Sequence, residues 1–366
     1  MLPTDSHQLN TLSGRAPASV FASTDVSAAS LSAAYLSSIL PAITSAYDLD
    51  VWPLLDKSGI SKENLAQSDY LISFYQVGAF FLSVFQTCRD EGIGLVVGSA
   101  VQAKSYQVLG YAIMSSQNLE EAIDRLIRYE KLVGQLGSTV FVPAGEGGSS
   151  ADFCKLVWEC PFDAVWVRFI KEAAIAGWVT YALSQARVKN AEFTVHFDHA
   201  ASSIPFERYQ SVFGDRVVFN SDWCGVAFDK ALLTLPFIQA DPGLNAMMDR
   251  QAGVLLDMFD RKLNLVNSTR EQITSRLPNG DPVLDDVAEA LSLTARVLQN
   301  RLKESGTTFK EVVDDVRKQL SLSYLSEKDV PLIDVAFLLG FSEQSSFSRA
   351  FKRWMGISPM EYRKVS

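Results

Sequence analysis

The C-terminal segment, residues 335–363, constrains the fold most, because two short helical patterns flank a single glycine turn there. Gly340 can adopt the positive φ that a tight corner between two helices requires. After the turn, Phe347, Phe351 and Trp354 recur at helical spacing, which predicts a face buried in a core. The pattern predicts a helix-turn-helix unit.

The opposite face of the second helix is polar, and Ser342 is predicted to cap its first turn. Its outward positions, spaced i, i+3, i+4 and i+7, are Ser345, Ser348, Arg349 and Lys352. Such a face suits a helix in the DNA major groove, because Arg reads guanine edges and Lys meets phosphate. A solvated surface helix without a ligand is the alternative, since many exposed helix faces are polar.

A second copy of this plan lies upstream, in residues 287–309. Leu298 and Leu302 take the places of Phe347 and Phe351 on the inner face. The outward positions, at the same spacing, are Arg296, Gln299, Asn300 and Lys303. Arg, Gln and Asn are the side chains that make bidentate contacts with base edges. The sequence therefore predicts two helix-turn-helix units in tandem.

The segment between the two units begins with a predicted capping box, in which Thr308 caps a helix and Glu311 reaches back to it. Val312, Val316 and Leu320 give this helix an apolar face. We expect it to fix the relative pose of the two recognition helices.

These residues carry a family resemblance. Gly340-Phe341, Ser345, Phe347 to Lys352, Gly356, Ser358-Pro359 and Tyr362-Arg363 resemble the signature of the AraC/XylS transcriptional regulators. The resemblance covers residues 267–366, with the helix-turn-helix units at about 284–305 and 332–355. It implies that the two recognition helices enter successive major-groove segments of double-stranded DNA.

The resemblance also implies roles for individual side chains. Base contacts are expected from Arg296, Gln299 and Asn300 in the first unit and from Ser345, Ser348 and Arg349 in the second. Gln344 is expected to be a further DNA-binding residue. Phosphate contacts are expected from Lys303, Lys352 and Arg353. The first unit departs from the family pattern at Ser292, a turn position where many members have glycine.

The preceding part of the chain has mixed helix and strand patterns, which predict an α+β domain over residues 29–243. Helical patterns cover Leu71–Cys88, Leu119–Val133 and Phe162–Leu183, and an earlier helix is expected to be interrupted at Pro41. Strand-like runs at Thr139–Val142 and Asp152–Glu159 are expected to pair as a hairpin, followed by strands at Glu192–Phe197 and Arg216–Phe219. Residues 1–28, rich in Ser, Ala and Thr, are expected to be a disordered leader.

This part also resembles a known domain. The run from Leu54 to Ile60, the segment around Trp166, His196-Phe197, Phe213-Gly214, Val218 to Asn220 and Phe228-Asp229 look like the effector and dimerisation domain of AraC relatives of the ornithine-utilisation and virulence regulator type. The resemblance implies a helix-rich domain that is not a cupin barrel, followed by an all-α domain of two helix-turn-helix units.

Residues 244–266 are predicted to form a linker or dimer helix between the two domains. Its apolar positions, which lie near one stripe, are Leu244, Met248, Leu255, Phe259, Leu263 and Val266. The alternative is that this stripe packs on its own domain. We expect a homodimer, with RNA polymerase as a further partner.

The net charge of −9 is unevenly distributed. Residues 267–366 hold 14 basic and 14 acidic side chains, so the whole net charge belongs to residues 1–266. We therefore expect modest, strongly salt-dependent affinity for nonspecific DNA, which dimerisation or tandem sites would raise.

Catalytic, metal and cofactor sites are not predicted. The four cysteines lack the spacing of a zinc site, and His196 and His199 are interpreted as structural. The glycines at 92, 94 and 98 have the wrong spacing for a phosphate loop. With no signal-peptide pattern or membrane-spanning run, we expect a cytoplasmic protein that is not an enzyme.

The function predicted is that of a sequence-specific transcriptional regulator, most simply an activator, controlled by a small-molecule effector. The effector is expected to be a small, largely apolar or weakly polar molecule, because the N-terminal part supplies five of the six tryptophans: Trp52, Trp158, Trp166, Trp178 and Trp223. The alternative for these rings is that they only fill the core. The alternative is a ligand-independent DNA-binding or architectural protein whose N-terminal domain only dimerises or binds a partner protein.

Overall fold

The computed structural model describes residues 29–67, 70–147, 150–185, 192–326 and 330–365. The predicted leader, residues 1–28, lies outside these ranges. The described chain forms a helix-rich α+β part and an all-helical part, each with its own core. This is the fold class predicted from the sequence. Within the described ranges, none of the helices has the length and apolar character needed to cross a membrane.

Nine helices among the described residues build most of the N-terminal part. They are α1 (Ala33–Tyr47), α2 (Trp52–Lys57), α3 (Lys62–Ala66), α4 (Phe74–Cys88), α5 (Ile93–Ser99), α6 (Gln107–Met114), α7 (Leu119–Tyr129), α8 (Val167–Gln185) and α9 (Phe206–Phe213). Two short strands, β1 (Ser30–Ser32) and β2 (Leu71–Ser73), pair antiparallel beside α1 and α4. Each of these strands ends in a serine whose side chain caps the helix that follows. One residue therefore ends the strand and starts the helix.

Five strands form an open sheet in the order β3-β4-β7-β5-β6. They are β3 (Ser138–Val142), β4 (Phe153–Glu159), β5 (Phe193–His196), β6 (Val217–Val218) and β7 (Gly225–Asp229). The predicted hairpin is confirmed, since β3 and β4 pair antiparallel with Val140 opposite Val157. Only β5 and β6 pair in parallel among the described strands. Alternate residues of β4 are buried, so one face of the sheet covers the core.

The glycines of the sequence around residue 92 serve close packing of α5 against α8. A Cβ at Gly94 would lie 2.4 Å from the Phe169 carbonyl oxygen, and one at Gly98 would lie 2.5 Å from that of Ala173. Real side chains do not approach backbone so closely, so glycine is required at both positions. This explains the motif without a phosphate ligand.

Several predicted helix boundaries were wrong. The helix expected from Phe162 begins at Val167, and the one expected to reach Val133 ends at Tyr129. Pro41 lies inside α1, because its ring faces solvent while Ile39 and Ile43 on the other face are buried and hold the helix together. The helix expected from Leu71 begins at Phe74, because residues 71–73 pair with β1.

One long helix, α10 (Pro242–Arg276), joins the two parts. It starts where the Asp241 carboxylate accepts hydrogen bonds from the backbone N–H groups of Gly243 and Leu244. The helix continues well past the predicted end at residue 266, because Ile273 is fully buried in the core of the first helix-turn-helix unit. The same helix therefore belongs to both parts of the molecule.

The apolar stripe predicted on this helix is not its exposed face. Of the six predicted positions, only Leu255 is exposed, and the others are half-buried, as expected of a stripe packed against its own chain. The other exposed large apolar side chains of α10 lie outside the predicted stripe and are Met247, Val254 and Met258. The difference arises because the helix crosses two cores in succession, which a single periodic stripe does not describe.

The C-terminal part is all helical. Its helices are α11 (Leu284–Ala290), α12 (Ala295–Glu304), α13 (Phe309–Ser326), α14 (Leu332–Leu338), α15 (Gln344–Met355) and α16 (Pro359–Val365). The first helix-turn-helix unit is α11 with α12, and the second is α14 with α15. Helix α13 connects them, and its Lys318 ammonium lies 4.3 Å from the centroid of the Tyr75 ring on α4.

Candidate nucleic-acid interface

The second helix-turn-helix unit turns at Gly340, which has a φ of +72°. A Cβ there would lie 2.5 Å from the Gly280 carbonyl oxygen and 2.9 Å from that of Leu277. Glycine is therefore required for two reasons, the left-handed backbone and the contact with the first unit. The predicted role of this glycine in the turn is confirmed, whereas its contact with residues 277–280 could not be read from local sequence.

Helix α15 presents the two faces that the sequence pattern indicates. Phe347 and Phe351 are fully buried in the core of the second unit. On the outer side, Gln344, Ser345, Arg349, Lys352 and Arg353 are exposed and Ser348 is half-buried. The predicted polar residues therefore lie together on one side of a single helix.

The start of α15 differs from the prediction. The helix begins at Gln344, with Glu343 at the N-cap position and without a side-chain cap. Ser342 precedes this position and does not cap the helix. The Glu343 carboxylate instead accepts a hydrogen bond from the Ser345 hydroxyl at 3.0 Å.

Both arginines on α15 have partners within the chain. The Arg349 guanidinium donates a hydrogen bond to the Ser346 hydroxyl at 3.3 Å, and this contact leaves most of its donors available. Arg353 lies 3.2 Å from the Asp314 carboxylate of α13. Its positive charge is therefore partly neutralised in the free protein.

Helix α12 of the first unit repeats this arrangement. Leu298 and Leu302 are fully buried, and Thr294 caps the helix through the Val297 N–H at 3.4 Å. Arg296, Gln299, Asn300 and Lys303 are all exposed on the outer side. Ser292 occupies the turn with a φ of +56°, the conformation that glycine adopts in the second unit.

Sequence reasoning missed Val297, which is 37% exposed beside the polar stripe of α12. An apolar side chain on a recognition helix can contact the methyl group of thymine. The sequence does indicate this residue, because Val297 is apolar but does not share the helical spacing of the buried Leu298 and Leu302.

Arg317 on α13 holds the two units together, and the sequence did not single it out. It is 8% exposed, and its Nε donates to the Leu339 carbonyl oxygen at 2.8 Å. Its guanidinium also lies 2.8 Å from the Asp281 carboxylate and 4.4 Å from the centroid of the Phe341 ring. One buried cation thus ties the loop before α11 to the turn of the second unit.

The predicted capping box at the start of α13 is confirmed. The Thr308 N–H donates to the Glu311 carboxylate at 2.7 Å, and the Glu311 N–H donates to the Thr308 hydroxyl at 3.3 Å. This cap fixes the start of α13, and Arg317 ties the middle of α13 to the turn of the second unit.

Two of the three histidines, His196 and His199, lie within the described ranges and have structural contacts. The His196 ring stacks on Trp223 with centroids 4.2 Å apart, and the His199 ring stacks on Phe197 at 5.0 Å. Burial lowers the pKa of both imidazoles, which favours their neutral forms. Within the described ranges, groups of three or more potential metal ligands are absent.

Comparison with known proteins places both parts in one family. Residues 49–237 match the arabinose-binding N-terminal domain of AraC transcription regulators, and residues 287–365 match a helix-turn-helix domain. The ornithine utilization regulator of Pseudomonas aeruginosa is 29% identical over 91% of this chain and 96% of its own length. The HTH-type transcriptional regulator VqsM of the same organism is 25% identical over 74% of this chain and 83% of its own.

Among solved structures, the transcriptional regulator CdpR from Pseudomonas aeruginosa aligns with a TM-score of 0.38 and 18% identity, over 86% of this chain and 98% of its own. The family and these relatives are regulators of transcription and not enzymes. Because the N-terminal domain match spans more than half of the chain and the DNA-binding match follows it, this chain belongs to the AraC family of DNA-binding transcription regulators.

Proposed function

We propose that this regulator recognises a specific DNA site by placing α12 and α15 in two successive major-groove segments. The observation that carries the proposal is that both helices have the same two-faced plan and are fixed to one frame by Arg317. A rigid pair of recognition helices reads two base sequences at one fixed separation. Separately mobile units would tolerate several separations.

Individual roles follow from side-chain chemistry and exposure. Base edges are assigned to Arg296, Gln299, Asn300, Gln344, Ser345, Ser348 and Arg349, and phosphates to Lys303, Lys352 and Arg353. Arg353 differs from the two lysines, because it must exchange the Asp314 carboxylate for a phosphate or share its charge between them. It should therefore contribute less to binding than Lys352.

Selection of bound duplexes from a randomised DNA pool tests this proposal. We expect enriched sites with two short motifs separated by about one helical turn, 10 to 10.5 base pairs, the distance between neighbouring major-groove segments on one DNA face. Enrichment of a single motif, or of two motifs at variable spacing, would contradict a rigid pair of recognition helices.

We further propose that a second copy of the chain pairs along α10. Met247, Gln251, Val254 and Met258 follow one another at intervals of four, three and four residues, which is the spacing of a coiled-coil seam. Met247, Val254 and Met258 are 51%, 55% and 52% exposed, although three large apolar side chains on one face favour burial. A seam of this spacing suits an identical helix, and pairing would bring two DNA-binding parts to one operator.

Control by an effector and activation through RNA polymerase complete the proposal. Ile333 and Phe337, one turn apart on α14, are 47% and 50% exposed and lie on the helix that precedes the recognition helix. Exposed apolar side chains beside a DNA-binding face suit a protein partner at the promoter. In a reporter assay, an Ile333→Ser/Phe337→Ser variant should lose activation while keeping operator affinity; equal loss of both would assign these residues to folding instead.

A further inference from the structure

A cavity of about 130 Å³ lies in the N-terminal part between the sheet and helices α6, α7 and α8. Its lining is almost wholly aliphatic and aromatic, with Leu156, Val226 and Phe228 from the sheet and Ile113, Ile123 and Trp178 from the helices. Every lining residue falls within residues 49–237, the region that matches the family's N-terminal domain. A concave site lined mainly by apolar and aromatic side chains is the usual form of a small-molecule binding site.

The cavity has few polar side chains, and they differ in whether they have a partner within the protein. Two tyrosines line it. Tyr106 stacks on Tyr35, with ring centroids 5.4 Å apart, and is hydrogen-bonded to it. The Tyr181 hydroxyl is buried, and it has no hydrogen-bond partner among the residues that the structure describes. A buried hydroxyl without a hydrogen-bond partner destabilises the folded chain, so a ligand that accepts a hydrogen bond from it would remove that cost.

The lining also excludes several classes of ligand. Among the described residues, it contains no Asp, Glu, Lys, Arg or His side chain. A zwitterionic amino acid would lose its hydration there without gaining an ion pair, and a sugar would leave most of its hydroxyls unbonded. The cavity is therefore unsuited to ornithine and to arabinose, although those words occur in the names of a relative and of the matching domain.

The walls of the cavity are connected to the DNA-binding part. Helices α6 and α7 line it with one face and hold α10 with the other, where the Asn245 side-chain amide donates to the Ala112 carbonyl oxygen at 2.8 Å. The Tyr129 hydroxyl of α7 donates to the Asp249 carboxylate at 2.9 Å. Because α10 continues into the core of the first helix-turn-helix unit, a displacement of α6 or α7 by an occupant reaches the DNA-binding part through one helix.

We propose that this cavity binds an uncharged, largely apolar molecule about the size of a substituted aromatic ring, with one acceptor for the Tyr181 hydroxyl. The inference rests on the proposed effector control and gives it a place and a ligand class. Engineered apolar cavities of similar volume bind single aromatic rings, which sets the size. Of the tryptophans in the N-terminal part, Trp178 lines the cavity and would contact the ligand, whereas Trp166 is buried in the core.

Two probes of equal shape test the proposal: acetophenone, which carries a carbonyl acceptor, and α-methylstyrene, in which a methylene group replaces the carbonyl oxygen. Dissociation constants are measured by calorimetry for the full chain and for a Tyr181→Phe variant, which loses only the hydroxyl. Acetophenone should bind the variant roughly threefold to tenfold more weakly, whereas the affinity of α-methylstyrene should change less than about twofold. Equal responses of the two probes, or no binding of either to the unmodified chain, would overturn the proposal.

The position of the site is tested with Ala182→Phe, which fills the cavity, and with Ala201→Phe, which adds the same ring at an exposed loop. Filling the cavity should weaken both probes at least tenfold, and the loop variant should weaken neither. Undiminished binding to a folded Ala182→Phe protein would overturn the assignment. Operator binding is measured on the same preparations. If operator binding is normal while the probe results fail, the cavity assignment is wrong and the proposed regulator function stands. If the probes bind as expected while operator binding fails, the proposed DNA recognition is wrong and the cavity assignment stands.

Discussion

Arg349 and Lys352 are neighbours on the exposed face of α15, yet substitution distinguishes a base contact from a phosphate contact. Arg349→Ala should cost about 1–3 kcal/mol on the preferred site and relax discrimination at one base position, because it removes a bidentate contact. Lys352→Ala should weaken all sequences alike and reduce the slope of log affinity against log salt by about one. Anisotropy titrations on single-base variants of the selected site, at several salt concentrations, measure both effects.

Arg216→Ala is the matched control, because Arg216 is exposed in the N-terminal part, outside both recognition helices and outside the seam on α10. It should leave affinity and salt slope unchanged. Unaltered affinity and base preference in Arg349→Ala would show that α15 does not lie in the groove as proposed.

Glu172 is a single buried residue whose protonation affects the stability of the N-terminal part. Its side chain is fully buried on α8, where Oε1 accepts a hydrogen bond from the Tyr209 hydroxyl at 2.6 Å and Oε2 has no partner among the described residues. Arg168 lies 4.0 Å away and His199 3.8 Å away. Burial raises the pKa of Glu172 to about 7, although the Tyr209 hydrogen bond and Arg168 lower it and Glu91 raises it further.

A carboxyl with a raised pKa binds its proton more tightly in the folded chain than in the unfolded one. Its contribution to stability is therefore complete below about pH 4.5 and is lost as pH rises towards about 7. Glu172→Gln should reduce the fall in melting temperature between pH 5 and 8, because the amide does not titrate. Exposed Glu192→Gln is the control and should keep the full pH dependence; an unchanged dependence in Glu172→Gln would assign it to other groups.

At the scale of helices and strands, the two recognition helices were read correctly from local patterns, whereas long-range contacts were not. The two recognition helices could be predicted because their signals, Gly340 and the spacing of Phe347 and Phe351, lie within a few turns of one another. Arg317 could not, because its partners Leu339 and Asp281 are distant in sequence. The same reason explains the exposed stripe of α10, which depends on two cores that only the folded chain brings to one helix.

Pairing of two copies along the α10 seam can be tested by placing a charged side chain at the centre of the seam. Val254→Glu places two like charges opposite each other in a paired helix, so the variant should be monomeric by light scattering at concentrations where the unmodified chain is a dimer. Its melting transition should persist, because Val254 is 55% exposed in the single chain. Ala246→Glu, exposed on α10 but outside the seam, should remain dimeric. A dimeric Val254→Glu protein would place the interface elsewhere.

The whole molecule combines an N-terminal part that carries the entire net charge of −9 with a DNA-binding part of balanced charge. Like charge between the N-terminal part and DNA does not assist binding, and screening over about 8 Å at physiological salt limits its reach. What the N-terminal part can add to DNA affinity is therefore a second copy of the recognition helices, and the magnitude of that contribution is measurable.

Residues 267–366 should fold alone, because all the buried residues of both helix-turn-helix cores, Ile273 and Leu277 among them, lie within the fragment. At matched salt, the fragment should bind a complete two-copy site roughly a hundredfold more weakly than the dimeric full chain, since the second contact is no longer intramolecular. Full-length Val254→Glu should bind that site like the fragment, because both lack only the pairing of copies. If the fragment matched the full chain, dimerisation would contribute nothing to DNA affinity; if the monomeric full-length variant bound far more tightly than the fragment, the N-terminal part would assist DNA binding by a route other than α10.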